Sequence, residues 1–258
     1  MAKSKNILIT NDDGINAPGL FALYEAVKAL GNVYVVAPAT DQSAASHSFT
    51  LRKPIKIREI KKHWFSVEGT PTDCVLIAYH AILNKSIDLV ISGINNGPNL
   101  GDDVLYSGTV AAAIEGAILG IPAMAVSYLK DGVNTQPAQN FVCKLAGYLL
   151  KYRLPKKTLL NINIPADDFK GIKVTNLGKR IYQDMAIRRL GPNDEVTYTI
   201  DGEMGFKLKR GSDFAAVYNG YLSITPLHLD MTHYRELARF RKIFARLFSP
   251  NRLRRINQ

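Results

Sequence analysis

Short apolar runs rich in β-branched residues alternate along this chain with stretches whose apolar positions recur every three to four residues. Residues 6–10 (NILIT), 33–38 (VYVVAP), 86–91 (SIDLVI), 121–128 (IPAMAVSY), 159–165 (LLNINIP) and 221–227 (YLSITPL) predict buried strands. A strand covered on both faces reads as a continuous apolar run rather than an alternating one. Residues 19–30 (GLFALYEAVKAL), 73–83 (DCVLIAYHAIL), 109–119 (TVAAAIEGAIL) and about 137–151 predict helices. Pro18 in front of the first and Gly31 behind it mark its ends. Thr70 as N-cap, with Pro71 at the first helical position, opens the second. Two further β-like segments, 55–60 and 64–69, lie ahead of that cap. The alternation predicts an α/β fold: a Rossmann-like, mostly parallel sheet with right-handed crossovers and helices on both faces.

Two regions break the pattern. Residues 171–210 read as antiparallel material, with turns at Gly191-Pro192-Asn193 and Asp201-Gly202. They predict a protruding β-hairpin excursion, a candidate oligomer arm, from a core of about 1–170 and 211–230. Residues 231–258 carry Leu237, Phe240, Ile243, Phe244 and Leu247 at helical spacing and predict a C-terminal amphipathic helix. That segment also holds eight Lys or Arg against Glu236 alone, a net +7 of the chain's +11. Its stripe points to packing or subunit exchange, with Phe240, Phe244 and Phe248 as core, and its charge to a polyanion. The whole of 1–258 is expected to form a single domain. An apolar share of 47% and a charged share of 21% belong to a globular protein rather than a disordered one. Cys74 and Cys143, each inside a predicted helix, offer no disulfide framework and suit a reducing, cytoplasmic setting. No membrane span or signal peptide is expected.

Residues 92–108 matter most for function, because they hold four glycines and three asparagines between a strand and a helix. Such residues supply unusual backbone angles and polar groups rather than packing. The stretch ends in Ser107-Gly108-Thr109, a serine N-cap at a helix start, and so forms a candidate oxyanion or phosphate seat. In an open parallel sheet, ligands bind beyond the carboxyl ends of the strands. Three loops at that edge carry hard oxygen donors: Asp12 and Asp13 after the first strand, Ser43 after the second, and Asn95 after 86–91. Adjacent carboxylates repel unless a cation or donors sit between them. Carboxylate, hydroxyl and amide oxygens suit Mg²⁺ or Mn²⁺. A cation beside an anion seat describes phosphate-ester hydrolysis. His47 in the second loop is a candidate titrating group, and Asp102 and Asp103 read as charges at a helix start or in solvent.

Five blocks together resemble the SurE family, the stationary-phase survival proteins that act as 5′-nucleotidases. They are ILITNDDGINAPG at 7–19, VVAPATDQSAASHSFTL at 35–51, GTPTDCV at 69–75, SGINNGPNLGDDVLYSGTVAAAIEG at 92–116 and GSDFAAVYNGYLSITPL at 211–227. The resemblance implies a divalent metal held by Asp12, Asp13, Ser43 and Asn95. It implies phosphate contacts at Ser107, Gly108 and Thr109, with Asn11 and Gly14 nearby. It further implies hydrolysis of nucleoside 5′-monophosphates, with some activity on 3′-nucleotides and polyphosphate. Dimers or tetramers built through C-terminal segments and protruding hairpins also follow from it. Asp12 would be a metal ligand and candidate proton acceptor, Asp13 its catalytic neighbour.

Three alternatives stay open. An aspartyl-phosphate phosphatase would need its nucleophile where Asn11 stands, and an amide cannot form that acyl phosphate. A nucleotide sensor would use the same pocket without turnover, although paired carboxylates favour catalysis. A polyanion-binding protein would use the basic C-terminus, with nucleic acid disfavoured because the aromatic residues there lie at helical spacing.

Overall fold

The computed structural model describes residues 4–129, 136–165, 169–182, 186–192, 195–200 and 204–248. The predicted alternation folds into β1 (Asn6–Thr10), α1 (Pro18–Val27), β2 (Asn32–Pro38), β3 (Ile57–Lys61), β4 (Trp64–Val67) and α2 (Pro71–Ile77). There follow β5 (Leu89–Asn96), α3 (Gly108–Ile118), β6 (Ala123–Tyr128), α4 (Gln136–Lys151) and β7 (Thr158–Ile164). Nine strands make one sheet in the order β3-β4-β2-β1-β5-β6-β7-β13-β8, where β8 is Ile172–Val174 and β13 is Leu222–His228. β4, β2, β1, β5, β6 and β7 run parallel, and β3 pairs antiparallel with β4.

Alternating side chains of the central strands divide the core. Ile7 and Ile9 of β1 pack in one apolar cluster with Leu20, Leu23 and Val27 of α1 and Val142, Ala146 and Leu149 of α4. On the opposite face α2 packs on α3. There Gly116 lies so close to Val90 that a Cβ would come within 2.9 Å of it. Helices therefore cover both faces, as the apolar runs require. The chain leaves β1 towards β2 on one side, and β5 lies on the other, so the topological switch point falls between β1 and β5.

Local chemistry sets the element ends. Thr70 accepts from the Asp73 N–H at 3.2 Å while Asp73 accepts from the Thr70 N–H at 2.9 Å, a reciprocal capping box. α2 continues as a π turn over Ala78–Ile82, which completes the predicted 73–83 helix. The 86–91 run behaves differently from expectation: β5 starts at Leu89 and extends to Asn96. Part of the expected loop is therefore strand, with a register shift between Ser92 and Asn95.

The excursion is smaller than 171–210. Ile172–Val174 joins the main sheet as β8, parallel to β13. The antiparallel material is β9 (Arg180–Tyr182) with β12 (Met204–Phe206), and the hairpin β10 (Ala186–Leu190) with β11 (Val196–Ile200). The Gly191 N–H donates to Glu195 O at 2.7 Å across the hairpin turn. Asn193 and Asp201-Gly202 of the expected turns lie outside the described residues. Ahead of β13, α5 (Asp213–Tyr218) opens on an N-cap at Ser212, a helix the apolar pattern did not announce.

The chain divides into two compact units, Met1–Leu227 and His228–Gln258. In the second, α6 (Tyr234–Leu247) is the predicted amphipathic helix, capped by His233 Nδ1 accepting from the Glu236 N–H at 3.2 Å. Phe240, Phe244 and Phe248 stack along one face at 6.0 and 5.7 Å between centroids. The expected core role does not hold for them, because all three are exposed. Arg252, Arg254 and Arg255 lie outside the described residues.

Candidate active site

β1 delivers Asn11, Asp12 and Asp13 to the switch point. Asn11 is fully buried, and its Nδ2 donates to Gly14 O at 2.9 Å. Its side chain therefore braces the turn from beneath instead of facing solvent. Gly14 has φ +99°, a conformation that favours glycine, and is itself buried. The two residues expected near phosphate shape the turn that presents Asp12 and Asp13.

Asp12 is buried to 5% exposure against the start of α3. Thr109 Oγ1 donates a short hydrogen bond to Asp12 Oδ1. Gly108 lies so close that a Cβ there would stand 2.8 Å from Asp12 Cβ and 2.9 Å from Oδ2. The helix cap is as predicted: Ser107 Oγ accepts from the Val110 N–H at 3.1 Å. Within this expected phosphate seat the Thr109 hydroxyl donates to Asp12. Thr109 orients a carboxylate, and Ser107 and Gly108, both buried, complete the helix start beside it.

The second loop folds onto the same edge. The Gln42 N–H donates to Asp12 O at 2.8 Å. Ser43 N and Oγ both donate to Asp41 Oδ1, at 2.7 and 2.6 Å. A hydroxyl that donates to a carboxylate keeps its lone pairs free and enriched in charge, which suits a cation ligand held by an outer partner. Further along, Ser46 Oγ donates to Leu105 O at 2.7 Å, and His47 Nε2 meets Glu115 Oε2 of α3 at 3.0 Å. From β5, Asn95 Nδ2 donates to Gly97 O at 2.8 Å, so Oδ1 is the atom it would offer a cation. Asp103 ion-pairs with Arg180.

Charge explains what the pocket lacks. Burial pushes the Asp12 carboxyl above its usual range and Asp41 adds to the shift, while the Thr109 hydroxyl and backbone N–H pull the other way. Asp13 is pushed up to about 6 by burial first, then by the charge of Asp12 and, less, of Asp41, against an opposing Asn96 backbone hydrogen bond. Among the described residues, neither aspartate of the turn nor Asp41 makes an ion pair with Lys, Arg or His. Asp12 and Asp13, with Asp41 acting on both through space, thus have no cation of the chain's own among the described residues, and no third acidic, His or Cys side chain joins them in a metal-holding group. That shortage, together with the hard oxygens of Ser43 and Asn95, fits a divalent metal of the Mg²⁺ or Mn²⁺ type.

Residues 7–184 match the family model described as Survival protein SurE. The chain belongs to the SurE family. A protein of Geotalea uraniireducens named 5′-nucleotidase SurE is 47% identical over 242 residues, covering 92% of this chain and 98% of that protein. The Aquifex aeolicus protein of the same name is 45% identical over 235 residues, covering 88% and 94%. A crystal structure of SurE from Aquifex aeolicus superposes with a TM-score of 0.82 at 40% identity, covering 92% of this chain and 99% of that one. The SurE fold is therefore the fold of this chain, as the five sequence blocks implied.

Sequence reasoning missed three features of this region. Asp41 is a third carboxylate on a loop leaving a neighbouring strand, and its position after VVAP was the available signal. Glu115 was hidden inside an apolar helix pattern, although a charge at such a position asks for a partner. The tie of Thr109 to Asp12 spans 97 residues and left no local trace.

Proposed function

We propose that this chain is a divalent-metal-dependent phosphomonoesterase that hydrolyses nucleoside 5′-monophosphates to nucleoside and phosphate, with 3′-monophosphates and polyphosphate as further substrates. The observation that carries the reading is Asp12, buried, pinned by Thr109 at the start of α3 and crowded by Asp13 and Asp41. The name shared by relatives across about nine-tenths of the chain supports the substrate class.

Asp12, Asp13, Ser43 Oγ and Asn95 Oδ1 would hold the metal, Mg²⁺ or Mn²⁺ by the hardness of those donors. When bound, the cation supplies positive charge to the phosphoryl group and acidity to a water. The chain's own residues supply placement. The Gly108 N–H and Ser107 take the phosphate oxygens at the positive end of α3. Thr109 fixes the direction of Asp12, and Asn11 and Gly14 hold the turn so that both carboxylates meet the substrate from one side. Asp12 would take the proton that the attacking water releases, and the nucleoside oxygen would leave with a proton from solvent.

We place the protein in the cytoplasm, on its two free cysteines. We take it as a homodimer or homotetramer, on the uncovered aromatic stripe of α6 and the exposed Leu190 and Tyr198 of the β10–β11 hairpin. Among the described residues no helix is long and apolar enough to cross a membrane.

Phosphate release from a panel of nucleoside 5′- and 3′-monophosphates, after EDTA and with Mg²⁺, Mn²⁺ or nothing added back, tests the reading. Release that needs metal, favours the 5′ series and disappears in Asp12→Asn is expected. Silence across the panel from folded protein, or wild-type turnover in Asp12→Asn, would refute it.

A further inference from the structure

The end of the sheet next to β5 carries a row of polar side chains that no apolar core requires. Asn95 of β5 is the Cα partner of Ser127 on β6, and Ser127 is the partner of Asn163 on β7. Paired residues on neighbouring parallel strands point to the same face, so the three stand in line, each strand about 4.8 Å from the next. Asn161, two residues before Asn163 on β7, faces the same way.

The loop after β5 folds back over this row. The Asn99 N–H donates to Asn163 Oδ1 at 2.8 Å. The Asn99 carbonyl accepts from Asn163 Nδ2 at 3.0 Å and from Asn161 Nδ2 at 2.8 Å. One asparagine thus grips both polar groups of the same residue, as a neighbouring strand would, and a second doubles the grip on the carbonyl. Asn99 Nδ2 donates in turn to Ser127 Oγ at 2.8 Å. All four side chains are buried.

The arrangement does not serve packing alone. Asn161 Oδ1 is buried and finds no hydrogen-bond partner in the protein. An unsatisfied buried acceptor is a net cost to the folded state, and an apolar side chain of similar shape would avoid it. A cost retained at one position calls for a return elsewhere, and the gripped residue shows where. Asn99 lies four residues after Asn95 and eight before Ser107. The same loop is held a second time where the Gly101 N–H donates to Asp213 Oδ2 at 2.7 Å.

We propose that Asn161 and Asn163 are positioning residues for the hydrolytic reaction: by holding the backbone of Asn99 they fix the distance between the Asn95 ligand and the Ser107–Gly108 phosphate seat. The inference rests on the assignment of Asn95 and the α3 cap to the active site. Cation and phosphate must meet at one geometry, and a displacement near 1 Å in such a site costs about a hundredfold in rate. Without the grip, the two ends of the loop move independently.

The test compares Asn161→Leu and Asn163→Ala with Thr175→Val and Asn95→Ala. Thr175 is a buried hydroxyl bonded to Ser223 and Thr225 at 2.7 Å each, next to the outer strands of the sheet and outside the Asn99 network. It reports what loss of a buried polar contact does by itself. Adenosine 5′-monophosphate hydrolysis gives kcat and KM, electron paramagnetic resonance gives Mn²⁺ affinity without substrate, and a melt gives stability. Asn161→Leu should fold as well as wild type, because it removes the orphaned acceptor along with one bond. Its kcat should nevertheless fall roughly 10- to 100-fold, with weaker Mn²⁺ binding, while Thr175→Val melts earlier and keeps its kcat. Wild-type kcat and Mn²⁺ affinity in Asn161→Leu would overturn the proposal, as would an equal loss of kcat in Thr175→Val. Full activity in Asn95→Ala would refute the site assignment beneath it. An inactive Asn95→Ala beside an unaffected Asn161→Leu would refute the positioning role alone.

Discussion

Alanine in place of Gly108 is the sharpest single perturbation of this site, because local and tertiary physics predict opposite signs for it. Gly108 opens α3, and its backbone is not in the left-handed region. On propensity alone, alanine should stabilise the helix by a fraction of the ~1 kcal/mol that separates the two residues in helix interiors. The new Cβ, however, would stand 2.8 Å from Asp12 Cβ, against at least 3.4 Å for an ordinary contact, so Asp12 or α3 must yield by about 0.6 Å. Asp12 cannot swing aside freely, since Thr109 holds its carboxylate from the same turn of helix. Overpacking of this kind costs about 1–3 kcal/mol, more than the propensity gain. With Asp12 in the proposed ligand role, a shift of about 0.6 Å in its carboxylate should lower kcat about 10- to 100-fold, with a smaller effect on KM. Chemical denaturation and steady-state kinetics on Gly108→Ala measure both effects. A variant more stable than wild type with unchanged kcat would show that Asp12 does not sit against the helix start, and would remove the basis for the site.

Two further predictions follow from charge and from surface. Asp13 has its carboxyl raised from 3.8 to about 6 in the metal-free fold, so the folded chain holds a proton that the unfolded chain has already released. That contribution to stability is present below about pH 4 and is lost as pH rises through about 6. Metal-free wild type should therefore lose melting temperature relative to Asp13→Asn between pH 5 and 7.5, and Mn²⁺ should restore it more at pH 7.5; a gap that ignores pH refutes the charge reading. On α6, replacing Phe240 and Phe244 with Ser should lower the oligomeric mass seen by sedimentation without unfolding the catalytic unit, whereas an unchanged mass would assign the stripe no role in assembly.

Much of the fold could be read along the chain because its signals are local. Buried parallel strands announce themselves as apolar runs, and the caps at Thr70 and Ser107 sit within three residues of their partners. The turn and neighbouring loops proposed as the site stood out for the same reason: strand ends followed by oxygen donors. What escaped notice depends on distant partners or on short elements. α5 spans only Asp213–Tyr218, too few residues for a helical stripe to repeat. Ile172–Val174 joins the main sheet because β13 lies beside it, which nothing in three residues can say. Asn161 and Asn163 sit in a run that reads as apolar strand, and their partner Asn99 lies 62 and 64 residues away.

Asp73 carries a consequence for how this scaffold can diversify. Its carboxylate caps α2 through Thr70 and also accepts from Thr50, at 2.8 Å from both the backbone N–H and the hydroxyl. The connection that starts beside Asp12 is thus moored again at Thr50. Residues 51–56 span the gap from that mooring to β3 almost entirely in solvent, without regular structure. Length and composition can change between the mooring and the edge strand while the Thr50–Asp73 hydrogen bonds stay in place. That short span is where a lineage, or a designer, could exchange sequence while the loop that meets Asp12 keeps its anchor.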